Sequence, residues 1–154
     1  MALHINNLET LCLQLKCTLI NEKIKLIDVL SILDNYEGSD WKEFIKFNDH
    51  TYNRIPIYSS PQFDIFIICW EKGQKSQIHD HPQRGCLMKL LAGELFENIY
   101  TNADLSVSIS SLKMEAGQIG YIENNQILHE IYSIKDSVSL HIYSPGGYIT
   151  KYYN

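Results

Sequence analysis

Apolar residues recur at helical spacing through the first third of the chain. Leu8, Leu11, Cys12, Leu15 and Leu19 share one face of a 3.6-residue repeat, and Ile24, Ile27, Leu30 and Leu33 resume it after the polar pair Asn21-Glu22. Asp40 followed by Glu43 has the form of a capping box, opening a short helix with Trp41, Phe44, Ile45 and Phe47 as its apolar face. These stretches are expected to be amphipathic helices packed on a larger body. From Tyr52 onward the pattern changes. Residues 63–70, apolar but for Asp64, form a run of buried-strand type, and further strands are expected at 86–91, 94–100, 105–112, 119–122, 129–132, 138–143 and 148–153. Turn signals separate them: Ala92-Gly93, Thr101-Asn102-Ala103-Asp104, Ala116-Gly117, Asn124-Asn125 and Pro145-Gly146-Gly147. Short strands at this spacing predict an all-β sandwich or barrel with helices at its N-terminal end.

The length of 154 residues suits one domain, a helical segment over 1–50 packed on a β-barrel over 51–154. A net charge of −5 argues against a nucleic-acid partner, which a basic field would attract. No apolar run approaches the roughly 20 residues that span a bilayer, so no membrane association is expected. The start, Met1-Ala2-Leu3-His4-Ile5-Asn6-Asn7, lacks the basic and apolar regions of a secretory signal. A cytoplasmic monomer is the expectation. Cys12, Cys17, Cys69 and Cys86 form no CxxC pair and are expected to be thiols, most of them buried.

The sharpest chemical feature is Ile78-His79-Asp80-His81. Histidines at i and i+2 on a strand point to one side of a sheet, so both imidazoles can reach one metal ion. Five residues separate Gly73 from His79, four separate His81 from Cys86, and six separate Cys86 from Gly93. This spacing resembles the first motif of the cupin superfamily, with Cys86 in the slot usually held by a glutamate ligand. A third ligand is expected from a later strand, and His129 and His141 compete for the role. His4 and His50 read as surface residues. Three neutral imidazoles leave a divalent ion its full charge, which suits a substrate that brings its own anions. A carboxylate away from the ion needs a fixed cation, and arginine's fork matches its two oxygens. Arg54 is the candidate, with Tyr52 two residues earlier and able to face the same cavity. Trp70 is expected to pack beneath the site.

Taken together, residues 46–54, residues 63–97 with Cys69-Trp70 and Ser76-Gln77-Ile78-His79-Asp80-His81, and Ser137-Val138-Ser139-Leu140-His141-Ile142-Tyr143-Ser144-Pro145 resemble the cysteine dioxygenases. These are thiol dioxygenases of the cupin superfamily, a class of small jelly-roll-like β-barrels. The similarity reaches back to about Leu30 and covers roughly four-fifths of the chain. The resemblance implies one Fe(II) per chain held by His79, His81 and His129. It implies that Arg54, assisted by Tyr52, binds the substrate carboxylate. Tyr143 would point its hydroxyl at the substrate and oxygen, and His141 would bond that tyrosine rather than the ion. In mammalian-type members a cysteine at the position of Cys86 is joined by a thioether to the tyrosine matching Tyr143, and both partners are present here.

The chain departs from the family pattern in three places. Gly85 replaces a histidine, Pro145-Gly146-Gly147 replaces a Pro-Pro turn and is expected to loosen the segment after it, and the sequence ends at Asn154, soon after the last motif. A shortened or differently built far wall of the pocket is expected. The implied reaction is oxidation of L-cysteine by O₂ to cysteine sulfinic acid. The alternatives are a dioxygenase of 3-mercaptopropionate, whose enzymes generally carry glutamine at the position of Arg54, and a cupin that binds metal without turnover.

Overall fold

The computed structural model describes residues 4–101 and 104–154. Met1–Leu3, and Asn102 and Ala103 of the expected turn at 101–104, lie outside the described residues. The first helix, α1 (Leu8–Leu19), begins where the side chain of Asn7 accepts the backbone N–H of Thr10 at 2.7 Å. The second periodic stretch splits into a 3₁₀ turn, Leu26–Val29, running into the short helix α2 (Leu30–Asp34). The third is a 3₁₀ turn, Asp40–Phe44, and it corrects the capping-box expectation. Asp40 does not cap its own turn: one carboxylate oxygen accepts the Leu8 N–H at 2.8 Å and the other the Tyr36 hydroxyl at 2.7 Å. Asp40 thus closes the start of α1 across 32 residues of sequence. Of the apolar face expected there, Trp41 is buried while Phe44, Ile45 and Phe47 are exposed.

The body is one curled sheet. Its strands are β1 (Asn53–Ser59), β2 (Asp64–Trp70), β3 (Ile78–His79), β4 (Cys86–Thr101), β5 (Ser110–Glu115), β6 (Ile119–Ile122), β7 (Ile127–Tyr143) and β8 (Tyr152–Tyr153). The path β1-β2-β7-β3-β8 is extended by β4, which pairs β5, β6 and β7. The mainly β, barrel-like architecture expected from the sequence is what the chain adopts. The number of strands equals the number expected, but their bounds differ: two pairs of expected strands merge, and β1 and β3 are added. Segments 86–91 and 94–100 are one strand, as are 129–132 and 138–143, because the chain between them stays in the ladder instead of turning, with Ala92 opposite Val138, Lys135 opposite Glu94 and Ser133 opposite Leu95. Ala92-Gly93 is a bulge rather than a turn. Gly93 takes φ 95° there, and a Cβ would lie 2.1 Å from the Ser137 hydroxyl. The strand expected at 105–112 is displaced to Ser110–Glu115, and that at 148–153 is confined to Tyr152–Tyr153.

The two faces of this sheet have different tasks. Ile65, Ile67, Cys69, Leu87, Val138, Leu140 and Ile142 point outward and share one core with the helical Leu11, Leu15, Leu19, Leu26, Val29 and Leu33. From Ile65 to Trp70 strand β2 is therefore apolar on both faces, which explains the run of apolar residues there. Lys89 also points to the helical side. Its buried ammonium donates to the carbonyls of Leu33, Asp34 and Tyr36 at 3.2, 3.0 and 2.8 Å, satisfying the open end of α2. The inner face carries Ile68, Trp70, Met88, Leu90, Leu95, Met114 and Ile131 as an apolar floor. Above that floor lie the groups singled out for chemistry.

Candidate metal centre and substrate pocket

Strand pairing brings the histidines together. His79 on β3 lies opposite His129 on β7, and His81 follows two residues after His79 on the same side. The Nε2 of His129 is 2.9 Å from that of His81 and 3.0 Å from that of His79. Each ring is held through its other nitrogen. Nδ1 of His79 meets the carbonyl of Gln77 at 2.8 Å, Nδ1 of His81 the carbonyl of Ile127 at 3.2 Å, and Nδ1 of His129 the carboxylate of Glu97 at 2.8 Å. Those partners are acceptors, so each Nδ1 carries the proton and each Nε2 presents a lone pair. Three lone pairs then converge with no hydrogen between them, an arrangement that a cation resolves. Metal–nitrogen bonds of about 2.1 Å at right angles place donor atoms about 3.0 Å apart, the spacing found here. Burial lowers the pKa of His79, and burial with the neighbouring imidazoles pushes His81 and His129 well below the usual histidine range. The rings are neutral near pH 7, as metal ligands must be.

His141 is elsewhere. Its Nδ1 lies 3.1 Å from the Tyr143 hydroxyl and its Nε2 2.7 Å from the Ser139 hydroxyl, which in turn accepts the Trp70 indole N–H at 2.9 Å. Both imidazole nitrogens are occupied, so among the described residues the group able to hold an ion is His79, His81 and His129. The indole can only donate. Trp70, Ser139, His141 and Tyr143 thus form one hydrogen-bonded chain that fixes the position of the Tyr143 hydroxyl. Trp70 does more than fill space, since it starts this chain and its ring stacks on Tyr52 with centroids 4.6 Å apart.

Arg54, from β1, spreads its guanidinium over Phe66 at 4.4 Å from the ring centroid and over Tyr143 at 5.6 Å. Among the described residues no carboxylate forms a salt bridge with it. A half-buried cation without an anion is a place for a ligand's carboxylate. Tyr52, Arg54, Trp70, His79, His129, His141 and Tyr143 line one pocket with Thr150 and Tyr152.

Cys86 lies directly opposite Tyr143 in the β4–β7 register, and both are buried beside Ile122. Burial pushes the thiol and the phenol well above their usual ranges. The glycines around them do not loosen this pair. Gly85 takes φ 89°, and a Cβ there would lie 1.9 Å from the carbonyl of Ile122, so this packing admits no side chain. In the turn after Tyr143 the Gly146 N–H bonds the Pro61 carbonyl at 3.1 Å and the Gly147 N–H the Asp64 carboxylate at 2.8 Å. The loosening expected there is not observed, because backbone bonds tie the turn to the loop before β2.

The sequence reading missed Glu97, Ser139, Thr150 and Tyr152. Glu97 was hidden by the bulge. Strict alternation along β4 puts residue 97 on the face opposite Cys86, but the register shifts between Leu90 and Leu95 return it to the inner face. Burial pushes its carboxyl up to about 7.

Solved structures share this fold. A protein with a double-stranded β-helix domain from Klebsiella pneumoniae matches 72% of this chain and 86% of its own at TM-score 0.59 and 15% identity. A cupin superfamily protein from Desulfitobacterium hafniense matches 66% of this chain and 84% of its own at TM-score 0.55 and 13% identity. These likenesses show the fold, a cupin-type β-barrel, in which this chain brings three histidines together. Sequence comparison narrows it, since the model of the family "Cysteine dioxygenase type I" matches residues 2–153. Cysteine dioxygenase type 1 of Danio rerio is 31% identical over 137 residues, 81% of this chain and 68% of that protein. The Homo sapiens protein of the same name is 31% identical over 134 residues, 80% of this chain and 67% of that one. The chain belongs to the cysteine dioxygenase type I family.

Proposed function

We propose that this chain is an Fe(II)-dependent dioxygenase that converts L-cysteine to cysteine sulfinate, with one iron held by His79, His81 and His129. The observation that supports it is the coincidence, in one pocket, of three imidazoles presenting only lone pairs and an arginine without an anion. Bound iron would supply the open coordination positions and the electrons that let a thiolate react with oxygen. The chain's own groups do the rest. Arg54 receives the carboxylate, and its stacking on Phe66 and Tyr143 fixes the fork before substrate arrives. Tyr143, oriented by His141 and Ser139, donates a hydrogen bond to charge developing near the sulfur. Glu97 keeps His129 in the tautomer whose Nε2 can bind. The apolar floor under the site keeps bulk water from competing.

One observation favours a rival thiol. Among the described residues lining the pocket there is no carboxylate to pair with a substrate ammonium, so 3-mercaptopropionate meets the same groups as cysteine. The test loads the protein with Fe(II) without air, then follows oxygen uptake and product mass with cysteine, 3-mercaptopropionate and cysteamine. Cysteine gaining two oxygen atoms, with cysteamine poor for want of a carboxylate, is the expected result. Preference for 3-mercaptopropionate reassigns the substrate. Iron binding with no uptake on any thiol leaves a cupin without turnover.

A further inference from the structure

Asp80 stands between two candidate ligands yet takes no part in the metal centre. Alternation along the strand turns its side chain away from His79 and His81, where it is buried to 5% exposure. Its partners all belong to the end of the chain. One carboxylate oxygen accepts the Lys151 N–H at 2.8 Å, the other the Tyr153 hydroxyl at 3.4 Å, and its own N–H donates to the Lys151 carbonyl at 3.1 Å. Burial together with the Asp80 carboxylate also pushes the Tyr148 phenol up to about 12. Within the sheet, β8 pairs only with β3, Ile78 opposite Tyr153 and His79 opposite Tyr152. Segment 148–153 is thus a strap fastened chiefly at one residue.

The strap reaches the pocket. Thr150 and Tyr152 line it, and the Tyr152 ring lies 6.1 Å from that of His79. Tyr52 lines the same pocket, and burial with Tyr152 beside it pushes the Tyr52 phenol up to about 12. We infer that Asp80 is a positioning residue that sets substrate size: by latching residues 148–153 to the histidine-bearing strand, it holds Thr150 and Tyr152 as the far wall and excludes thiols bulkier than a free amino acid. The inference rests on the thiol-dioxygenase reading for the kind of ligand, but the latch itself is independent of it. The ligands do not depend on the latch either, since the His79 ring is held by Gln77 and the His81 ring by Ile127.

The test uses three variants. Asp80→Ala removes the acceptor. Lys151→Pro removes the N–H it accepts and leaves the His-Asp-His segment untouched, and Asp80→Asn keeps an acceptor oxygen in place. Amide exchange of the peptide covering 148–154 is read by mass, iron content by analysis, and the affinity of the iron-loaded protein for cysteine and N-acetylcysteine by calorimetry without air. In Asp80→Ala and Lys151→Pro, exchange should quicken at least tenfold and the affinity for N-acetylcysteine relative to cysteine rise at least tenfold, with iron still near one per chain. Asp80→Asn should keep slow exchange. Unchanged exchange in Lys151→Pro overturns the latch, and faster exchange with an unchanged affinity ratio overturns its role in substrate size. A parent protein that binds cysteine but consumes no oxygen with it retires the dioxygenase reading and leaves the latch standing.

Discussion

The guanidinium of Arg54 is held by aromatic faces rather than by a carboxylate, and that determines what its loss should do. Arg54→Ala leaves the three imidazoles and their Nδ1 partners in place, so iron content should not change. A substrate carboxylate left without its cation costs a few kcal/mol, so kcat/KM for cysteine should fall roughly 10²–10³-fold. Similar rates for cysteine and cysteamine in the parent would take Arg54 out of the site. Cys86 and Tyr143 carry a second expectation at this scale. Directly paired residues in an antiparallel ladder have Cβ atoms about 5 Å apart, close enough for the sulfur to meet the phenol ring. Turnover with oxygen as the oxidant should join them by a thioether, with loss of a pair of hydrogens. Peptide mapping after extended aerobic turnover should find a linked fraction that Cys86→Ser and Tyr143→Phe both abolish. A free Cys86 thiol in every molecule would show that pairing alone is not enough.

Among the elements, the long strands β4 and β7 position the site, and the helices stabilise them from behind. Strand β7 alone carries His129, Ser139, His141 and Tyr143 on one face, while its other face packs against the helical segment. Lys89 joins the two layers through three carbonyls of the α2 end. Lys89→Met keeps the volume but leaves those carbonyls without a donor, which costs about 2 kcal/mol and lowers Tm by roughly 4–8 °C in a chain of this size. Metal binding should survive in the folded fraction, because nothing on the inner face is touched. A thermal melt of the two proteins checks this, and equal midpoints would show that water satisfies the helix end as well as the lysine does. The capping box at Asp40 and Glu43 shows the limit of local patterns at this scale. The residue type signalled a helix start correctly, but the start it caps is that of α1, which only tertiary contact brings near.

Across the whole molecule, burying neutral histidines ties stability to pH. His79, His81, His129 and His141 all have lowered folded pKa values, so below about 6.5 the unfolded chain binds more protons and stability falls as pH drops. Glu97 acts oppositely. Its carboxyl, raised to about 7, favours the folded state at low pH and loses that contribution as pH rises from about 4.5 to 7. Four histidines against one glutamate favour net proton uptake on unfolding, so the metal-free protein should lose stability as pH falls below about 6.5. Denaturant melts across pH 5–8 check the slope, and a flat profile would mean the histidines are not buried as described. The sequence determined the local and chemical parts of this protein: α1 and β2 from periodicity, the His79–His81 pair from strand alternation, and the family from three segments. Those features depend on near neighbours in the chain. It could not choose between His129 and His141 on spacing alone, because which one faces the pair depends on the register between β3 and β7. It also could not place Glu97, whose face depends on a bulge, or the strap at Asp80, whose bonds join residues more than 70 positions apart. Register, bulges and long-range hydrogen bonds are properties of strands meeting in space, and only the folded sheet decides them.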